Sequence, residues 1–349
     1  MEFLIQVHIP VRNEEKRLPR LFDSIRSQTF KWCQYIFHNN NSSDSTKLLL
    51  QRFLEESPGE SVIVKNYDVT LASSDYGMRI RWFDHTSPYV AMRSANDVML
   101  PDYFSAVVDL LRSDSKIGLG YSHGYLVYEE SPTVGHRDYG QVISTSVDDP
   151  FTSLKECVLR YTQPFSLWGV YRRDVFQKTS TFWIPCYGAD HVLVAECSLY
   201  GSVRSTIEAL DCRMIPGREG ELTPLDHLRN FWTSHHLLAV RGIDQDDVLM
   251  TADIYLPFHS MLNGYLRMLS MAAIPVESRK NLFSCVIDSF TLRFSRALEF
   301  ELENFLGLIK SKLSSAQPKP TSLEYLDPLW AVDVLKWLNI ILTTSRLKN

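Results

Sequence analysis

Along the first half of the chain, short apolar runs alternate with stretches whose apolar residues recur at helical spacing. Leu4–Ile9 is an apolar run ended by Pro10, and Leu18, Leu21, Phe22 and Ile25 share one face of a helix over Leu18–Ser27. Gln34–His38 reads as a second strand, the polar cluster Asn39–Asp44 as a turn, and Thr46–Leu54 as a helix capped by Ser43 or Asp44. Ser61–Val64 and Tyr89–Met92 read as further strands, Asp102–Arg112 as a helix and Lys116–Tyr121 as another strand. Strands separated by single helices predict right-handed crossovers and a mainly parallel sheet. Such sheets bind ligands in the crevice at the carboxyl ends of their strands, so the informative residues are those that follow the strands.

From about residue 225 the pattern changes to long helical stretches. Over Leu282–Leu313 one stripe collects Phe283, Val286, Ile287, Phe290, Phe294, Leu298, Leu302, Phe305 and Ile309, which reads as a face buried against protein. Ser314–Ser322 carries two prolines and reads as a loop, and Asp327–Thr343 as a final helix rich in Leu, Ile and Trp. The expected organisation is an α/β domain over 1–224 and a helical region over 225–349. That region is open to three uses: packing on the first domain, making a homo-oligomer, or lying peripherally on a membrane. Its last helix has Trp330 and Trp337 but few cations, which weighs against the membrane use.

Composition narrows the class. Of 349 residues, 45% are hydrophobic and 22% charged, enough to fill a sizeable core. A formal net charge of −5 argues against a nucleic-acid partner. No apolar run approaches the roughly 18 residues of a membrane span. The opening MEFLIQVHIPV reads as a first strand rather than a signal peptide, giving a cytoplasmic expectation. Six cysteines (Cys33, Cys157, Cys186, Cys197, Cys212, Cys285) lack ligand-like spacing and read as reduced, mostly buried thiols. His235-His236 likewise lacks metal-ligand spacing.

Three motifs carry the chemistry. His8-Ile9-Pro10-Val11-Arg12-Asn13-Glu14-Glu15 follows the first strand, Ser24-Ile25-Arg26-Ser27-Gln28-Thr29 ends the first helix, and Asn39-Asn40-Asn41-Ser42-Ser43-Asp44-Ser45-Thr46 follows the second strand. In this order and spacing they resemble the family 2 glycosyltransferases over roughly residues 4–125, with weaker echoes to residue 218. The resemblance implies a GT-A fold: a Rossmann-like, mainly parallel sheet with flanking helices, here with a helical C-terminal region. It also implies a nucleotide-sugar donor held by Pro10, Arg12, Glu14 and Asn39. Asn39 stands where the family has a base-reading Asp; an amide can accept an imide N–H while also offering a donor.

Ser87–Tyr103 is similar to the segment whose Asp-x-Asp meets ribose and a divalent metal, and here Ser94 and Asn96 replace both aspartates while Asp97 remains. Asp211–Arg218 resembles the segment whose His completes the metal shell, and Ile215 stands in its place. A Mg²⁺ or Mn²⁺ cofactor, on Asp97 and Asn96, is therefore expected to be weakly held or absent. Arg79, Arg81, Arg213 and Arg218 are the candidates to balance a diphosphate, since a guanidinium bonds phosphate bidentately. Val170–Phe176 and Gly188–Gly201 resemble the segments around the catalytic carboxylate. The resemblance makes Asp190 a general base for direct, inverting displacement; an N-cap is its structural alternative. His191 is a neighbour of the outer surroundings. Trp168, Trp183 and Tyr187 are candidates for stacking an acceptor, or half-buried core aromatics.

The expected activity is transfer of a sugar from a nucleoside-diphosphate sugar, UDP-linked, to a glycan, lipid-linked or protein hydroxyl. The alternative is a catalytically silent sugar-nucleotide-binding or scaffold protein: Asp190 and Asp97 favour the enzyme, whereas Ser94, Asn96 and Ile215 favour the silent form. A sugar nucleotidyltransferase would need a Gly-rich basic N-terminal loop, which is missing.

Overall fold

The computed structural model describes residues 3–57, 59, 61–71, 79–80, 83–128, 134–137, 142–160, 165–181, 186, 188–215 and 257–314. Apolar alternation builds three strands first: β1 (Ile5–Val11), β2 (Cys33–Asn40) and β3 (Val62–Tyr67). Between them stand α1 (Leu18–Ser27) and α2 (Thr46–Glu56). Next come β4 (Tyr89–Met92), β5 (Val98–Met99), α3 (Tyr103–Ser113), β6 (Ile117–Tyr121), β7 (Gly124–Tyr128), β8 (Val134–Arg137) and α4 (Pro150–Arg160). The chain continues through β9 (Val170–Arg172), α5 (Arg173–Lys178), α6 (Ala189–Tyr200), β10 (Ser202–Ser205) and β11 (Asp211–Ile215). Two long helices follow, α7 (Pro257–Met271) and α8 (Val276–Ser314).

Seven strands form the main sheet in the order β10-β6-β9-β4-β1-β2-β3. All neighbours are parallel except β9, which runs antiparallel to both β4 and β6. This is the mainly parallel α/β sheet that the strand–helix alternation predicts. Pro10 does not end β1. It lies opposite His38 of β2, beyond the last β4 pairing at His8–Met92, so no β4 partner needs the N–H that proline lacks. Asn39 and Asn40, expected in a turn, are the buried last residues of β2. Ser45 is the N-cap residue of α2 and its own side chain makes no cap bond; Asp44, one of the two expected caps, accepts the N–H of Thr46, the first helical residue, at 3.0 Å.

A second sheet, β5-β11-β7-β8, went unread in the sequence: β5 has two residues, β8 and β11 are half-polar, and only β7, Gly124-Tyr125-Leu126-Val127-Tyr128, is an apolar run. Its closest approach is at Gly124, where a Cβ would stand 1.8 Å from the Asp211 carbonyl oxygen, so β7 and β11 pair there only because the position is glycine.

Helices cover both faces of the main sheet. On one, α1, α2 and α3 bury Leu18, Phe22, Phe53, Phe104 and Leu111 against Ile5, Val7, Ile9 and Phe37. On the other, α4, α5 and α6 share a core with Met261, Tyr265 and Leu269 of α7 and Leu282, Val286 and Phe290 of α8. The start of α7 is capped from α8: Glu301 accepts the Phe258 and His259 N–H groups (2.8 and 3.3 Å) and bonds His259 Nδ1 (2.8 Å). All six cysteines are unpaired, five of them buried. Among the described residues, no helix is long and apolar enough to cross a membrane. The sequence-expected helix at 327–343, His235 and His236 lie outside the described residues.

Candidate active site

The two loops that leave β1 and β2 are joined by backbone-to-side-chain hydrogen bonds. The Asn13 N–H donates to Ser42 Oγ (3.1 Å), Glu14 N–H to Thr46 Oγ1 (2.7 Å) and Glu15 N–H to Asp44 Oδ2 (3.1 Å). In return Ser43 N–H donates to Asn13 Oδ1 (2.9 Å) and Ser45 N–H to Glu15 Oε2 (3.0 Å). Asn13 and Asn41 hold φ of +54° and +51°, the left-handed region that Asn tolerates better than other residues with a Cβ. A polar cavity of about 470 Å³ lies at this junction, lined by Asn13–Arg17, Arg20 and Asp44.

The segment after β4 meets the same junction. Arg20 donates to the Asn96 carbonyl oxygen (3.0 Å), and with the Asn96 amide assigned so that its nitrogen faces Glu14, it donates to both carboxylate oxygens (3.1 Å each). Glu14 is also paired with Arg17 at 3.2 Å. Ser94 Oγ accepts the Asn96 N–H (3.1 Å). Pro10–Glu14, Asn39–Ser42 and Ser94–Asp97 are thus contiguous at the carboxyl ends of β1, β2 and β4, as their order implied. Within this cluster Arg12 is exposed and Pro10 half-buried. Asn39 is buried with its amide engaged at both ends, donating to Asn66 Oδ1 (2.8 Å) and accepting from Ser42 N–H (3.4 Å).

Asp97 is nearly buried, and one oxygen accepts the Met214 N–H (3.1 Å), tying the loop to β11. Burial and the neighbouring Asp211 carboxylate push its pKa up to about 6, against the pull of Arg93, the Met214 N–H and Arg213. Of the diphosphate candidates, Arg213 therefore acts on Asp97, while Arg79 lies over the Tyr67 ring at 4.9 Å, beside β3. Arg81 and Arg218 lie outside the described residues. Metal chemistry finds little support in this donor set: one Asp97 oxygen serves a backbone N–H and Asn96 is turned to Glu14. Among the described residues no group of three His, Cys, Asp or Glu side chains is placed to hold an ion.

Sequence reasoning passed over Arg93 and two buried histidines. Arg93, one of the largest fully buried side chains, pairs bidentately with Asp211, 118 positions away (2.9 and 2.6 Å). A cation closing the apolar run Tyr89–Met92 was the only available signal, and its partner could not be guessed. His8 Nδ1 lies 3.0 Å from His38 Nε2, and His38 Nδ1 2.9 Å from the Tyr67 hydroxyl. Burial holds both imidazoles neutral, His38 down to about pH 4.

Asp190 stands in the first turn of α6, whose N-cap is Gly188 (φ +65°), so the capping alternative fails: no side-chain cap bond is made. The left-handed glycine lets the chain enter the helix beneath Met261 of α7. The Asp190 charge acts on Tyr171, Cys186, His191 and Tyr265, which places it between β9 and α7. Tyr171 in turn donates to the Leu167 carbonyl (2.7 Å), next to half-buried Trp168. Buried Glu196, on the same helix, accepts four hydrogen bonds from the N–H and hydroxyl groups of Ser180 and Thr181 (2.6–2.8 Å). Trp183 and Tyr187 lie outside the described residues.

Strand order, flanking helices and a cleft at the carboxyl ends of β1, β2 and β4 define the fold class, a GT-A fold. Residues 6–157 match the family model described as Glycosyl transferase family 2. Among solved structures, the GalNAc-T7 structure with UDP, GalNAc and Mn²⁺ is similar at 11% identity, over 84% of this chain and 57% of that one, with a TM-score of 0.51. The mannosyltransferase PcManGT from Pyrobaculum calidifontis, in complex with GDP-Man and Mn²⁺, aligns at 12% identity over 91% of this chain and 89% of its own (TM-score 0.48). TarS of S. aureus aligns at 11% identity over 89% of this chain (TM-score 0.45), and the chain spans 55% of TarS. No curated protein matches the chain.

Proposed function

We propose that the chain transfers a sugar from a nucleoside-diphosphate sugar, UDP-linked, to a hydroxyl acceptor with inversion, Asp190 taking the acceptor's proton. The observation that supports this reading best is the convergence of Pro10–Glu14, Asn39–Ser42 and Ser94–Asp97 on one cleft, bound to each other by Asn13–Ser42 and Glu14–Asn96. Asp190 is half-buried at the start of a helix, its charge acting on Tyr171 and Tyr265, and a carboxylate so exposed can receive a proton as the acceptor oxygen attacks the anomeric carbon. The C–O bond to the diphosphate breaks as the new one forms, and the diphosphate leaves with the electron pair. Arg213, whose charge acts on Asp97, is a candidate to meet that charge, and Lys16, Arg17 and Arg20 line the cavity itself.

The test is a melting scan of the protein with UDP-, GDP- and CDP-sugars, with and without EDTA. Binding to the folded state raises the melting temperature. The UDP series is expected to raise it, and EDTA is expected to leave both that shift and sugar transfer unchanged. Transfer that vanishes with EDTA and returns with Mn²⁺ would show that Asp97 and Asn96 hold a metal after all. The second reading, a silent nucleotide-sugar binder, rests on the replaced carboxylates at Ser94 and Asn96. It predicts the thermal shift without transfer.

A further inference from the structure

We infer that Arg93 is a positioning residue that sets the distance between the donor and acceptor walls of this cleft; the inference rests on the glycosyltransferase reading. Its backbone belongs to the donor side: the Arg93 N–H donates to the His8 carbonyl of β1 (2.9 Å), and Ser94–Asp97 follow directly. Its side chain, 1% exposed, reaches the Trp168 segment and β11. Nη1 donates to Asp211 Oδ2 and to the Trp168 carbonyl, both at 2.9 Å, and Nη2 to Asp211 Oδ1 at 2.6 Å. The guanidinium lies 4.7 Å over the Tyr103 ring, and the Tyr103 hydroxyl donates to the same Trp168 carbonyl (2.9 Å).

Two donors from the donor side thus converge on one backbone oxygen of the Trp168 segment, while the same guanidinium fixes β11 through Asp211. Only a planar fork can serve both acceptors at once; an ammonium is a single point charge and cannot reproduce that geometry. A buried ion pair is weak evidence of stabilisation, because an apolar pair of similar volume often replaces it at no cost. That gives the experiment its leverage: Arg93→Met with Asp211→Leu removes the fork without leaving either of its two charges buried and unpaired.

Three quantities are read on this double variant: melting temperature, hydrogen exchange at the amides of 165–169, and UDP release from UDP-glucose, UDP-galactose and UDP-GlcNAc. The expected result is a melting temperature close to that of the parent, with exchange at 165–169 at least about ten-fold faster. Turnover should fall about 100-fold while UDP affinity changes less than about three-fold, since small misplacement costs rate more than binding. Unchanged exchange and turnover in the folded variant would overturn the inference. If the double variant does not fold, Tyr103→Phe decides on the same readouts: faster exchange at 165–169 supports the role, and parental exchange refutes it. If the parent releases UDP from no donor, the functional reading fails, and exchange alone decides the place of Arg93.

Discussion

The hydrogen-bonded row His8–His38–Tyr67 gives the clearest residue-scale consequence, because it lies beneath the donor loops and titrates. An unfolded imidazole protonates near pH 6.5, whereas burial keeps His38 neutral down to about 4 and holds His8 low as well. A depressed folded pKa means that the stabilising contribution is fully present above about pH 6.5 and is lost as pH falls through about 4. His38→Gln should therefore cost about 1 kcal/mol at neutral pH, one hydrogen bond's worth, and flatten the acid side of the stability curve. Urea midpoints measured against pH check both; an acid limb as steep as the parent's would contradict the assignment. This row was invisible in the sequence, where His8 and His38 stood inside apolar runs and nothing marked them as stacked neighbours. Asp97 was noticed, but for a cation. What the fold adds is Met214 of β11, a partner 117 positions away whose N–H takes one of its oxygens. Long-range pairs of this kind have no local signature.

At the scale of elements, the proposed donor cleft depends on two loops made rigid by each other. Asn13 supplies a left-handed turn, an acceptor for Ser43 N–H and a donor to Ser42 Oγ. Asn13→Ala should cost about 1–2 kcal/mol, from backbone strain and the lost side-chain bond, and weaken UDP binding about ten-fold through looser loops. Asn13→Gly keeps the turn and should lose less of both. Calorimetric titration with UDP beside melting curves distinguishes the two; equal behaviour of Ala and Gly would show that the turn is not what matters. The strands of the main sheet and the helices up to Tyr121 were legible, because alternation of apolar runs with helical spacing is strong there and Ser, Asn and Asp mark the loops. The second sheet was not: β5 has two residues, and β11 pairs with β7 by way of Gly124, a close approach that no periodicity encodes.

For the whole molecule, the helices after residue 256 complete the core on the second face of the sheet. The stripe read along α8 is borne out at Val286 and Phe290, both buried, and in part at Phe283, Phe294 and Leu298, whereas Ile287 is exposed; Phe290 meets Tyr265 and Phe294 at ring distances of 6.1 and 4.6 Å. Phe290→Ala should cost about 3–5 kcal/mol, the range for a large aromatic truncated in a packed core. A loss below about 1 kcal/mol in denaturant titration would show that α8 packs loosely. Because α7 also closes over Gly188 at the start of α6, the same helices shape the surroundings of Asp190. The central claim, a cleft that moves sugar with Asp190 as base, is tested most directly by diphosphate release from UDP-sugars by the parent and Asp190→Asn. The expected result is release from at least one donor by the parent and a fall of about 10²–10⁴-fold in the variant, with UDP affinity and melting temperature retained. Release at the parent's rate by Asp190→Asn would contradict it, and so would no release from any donor.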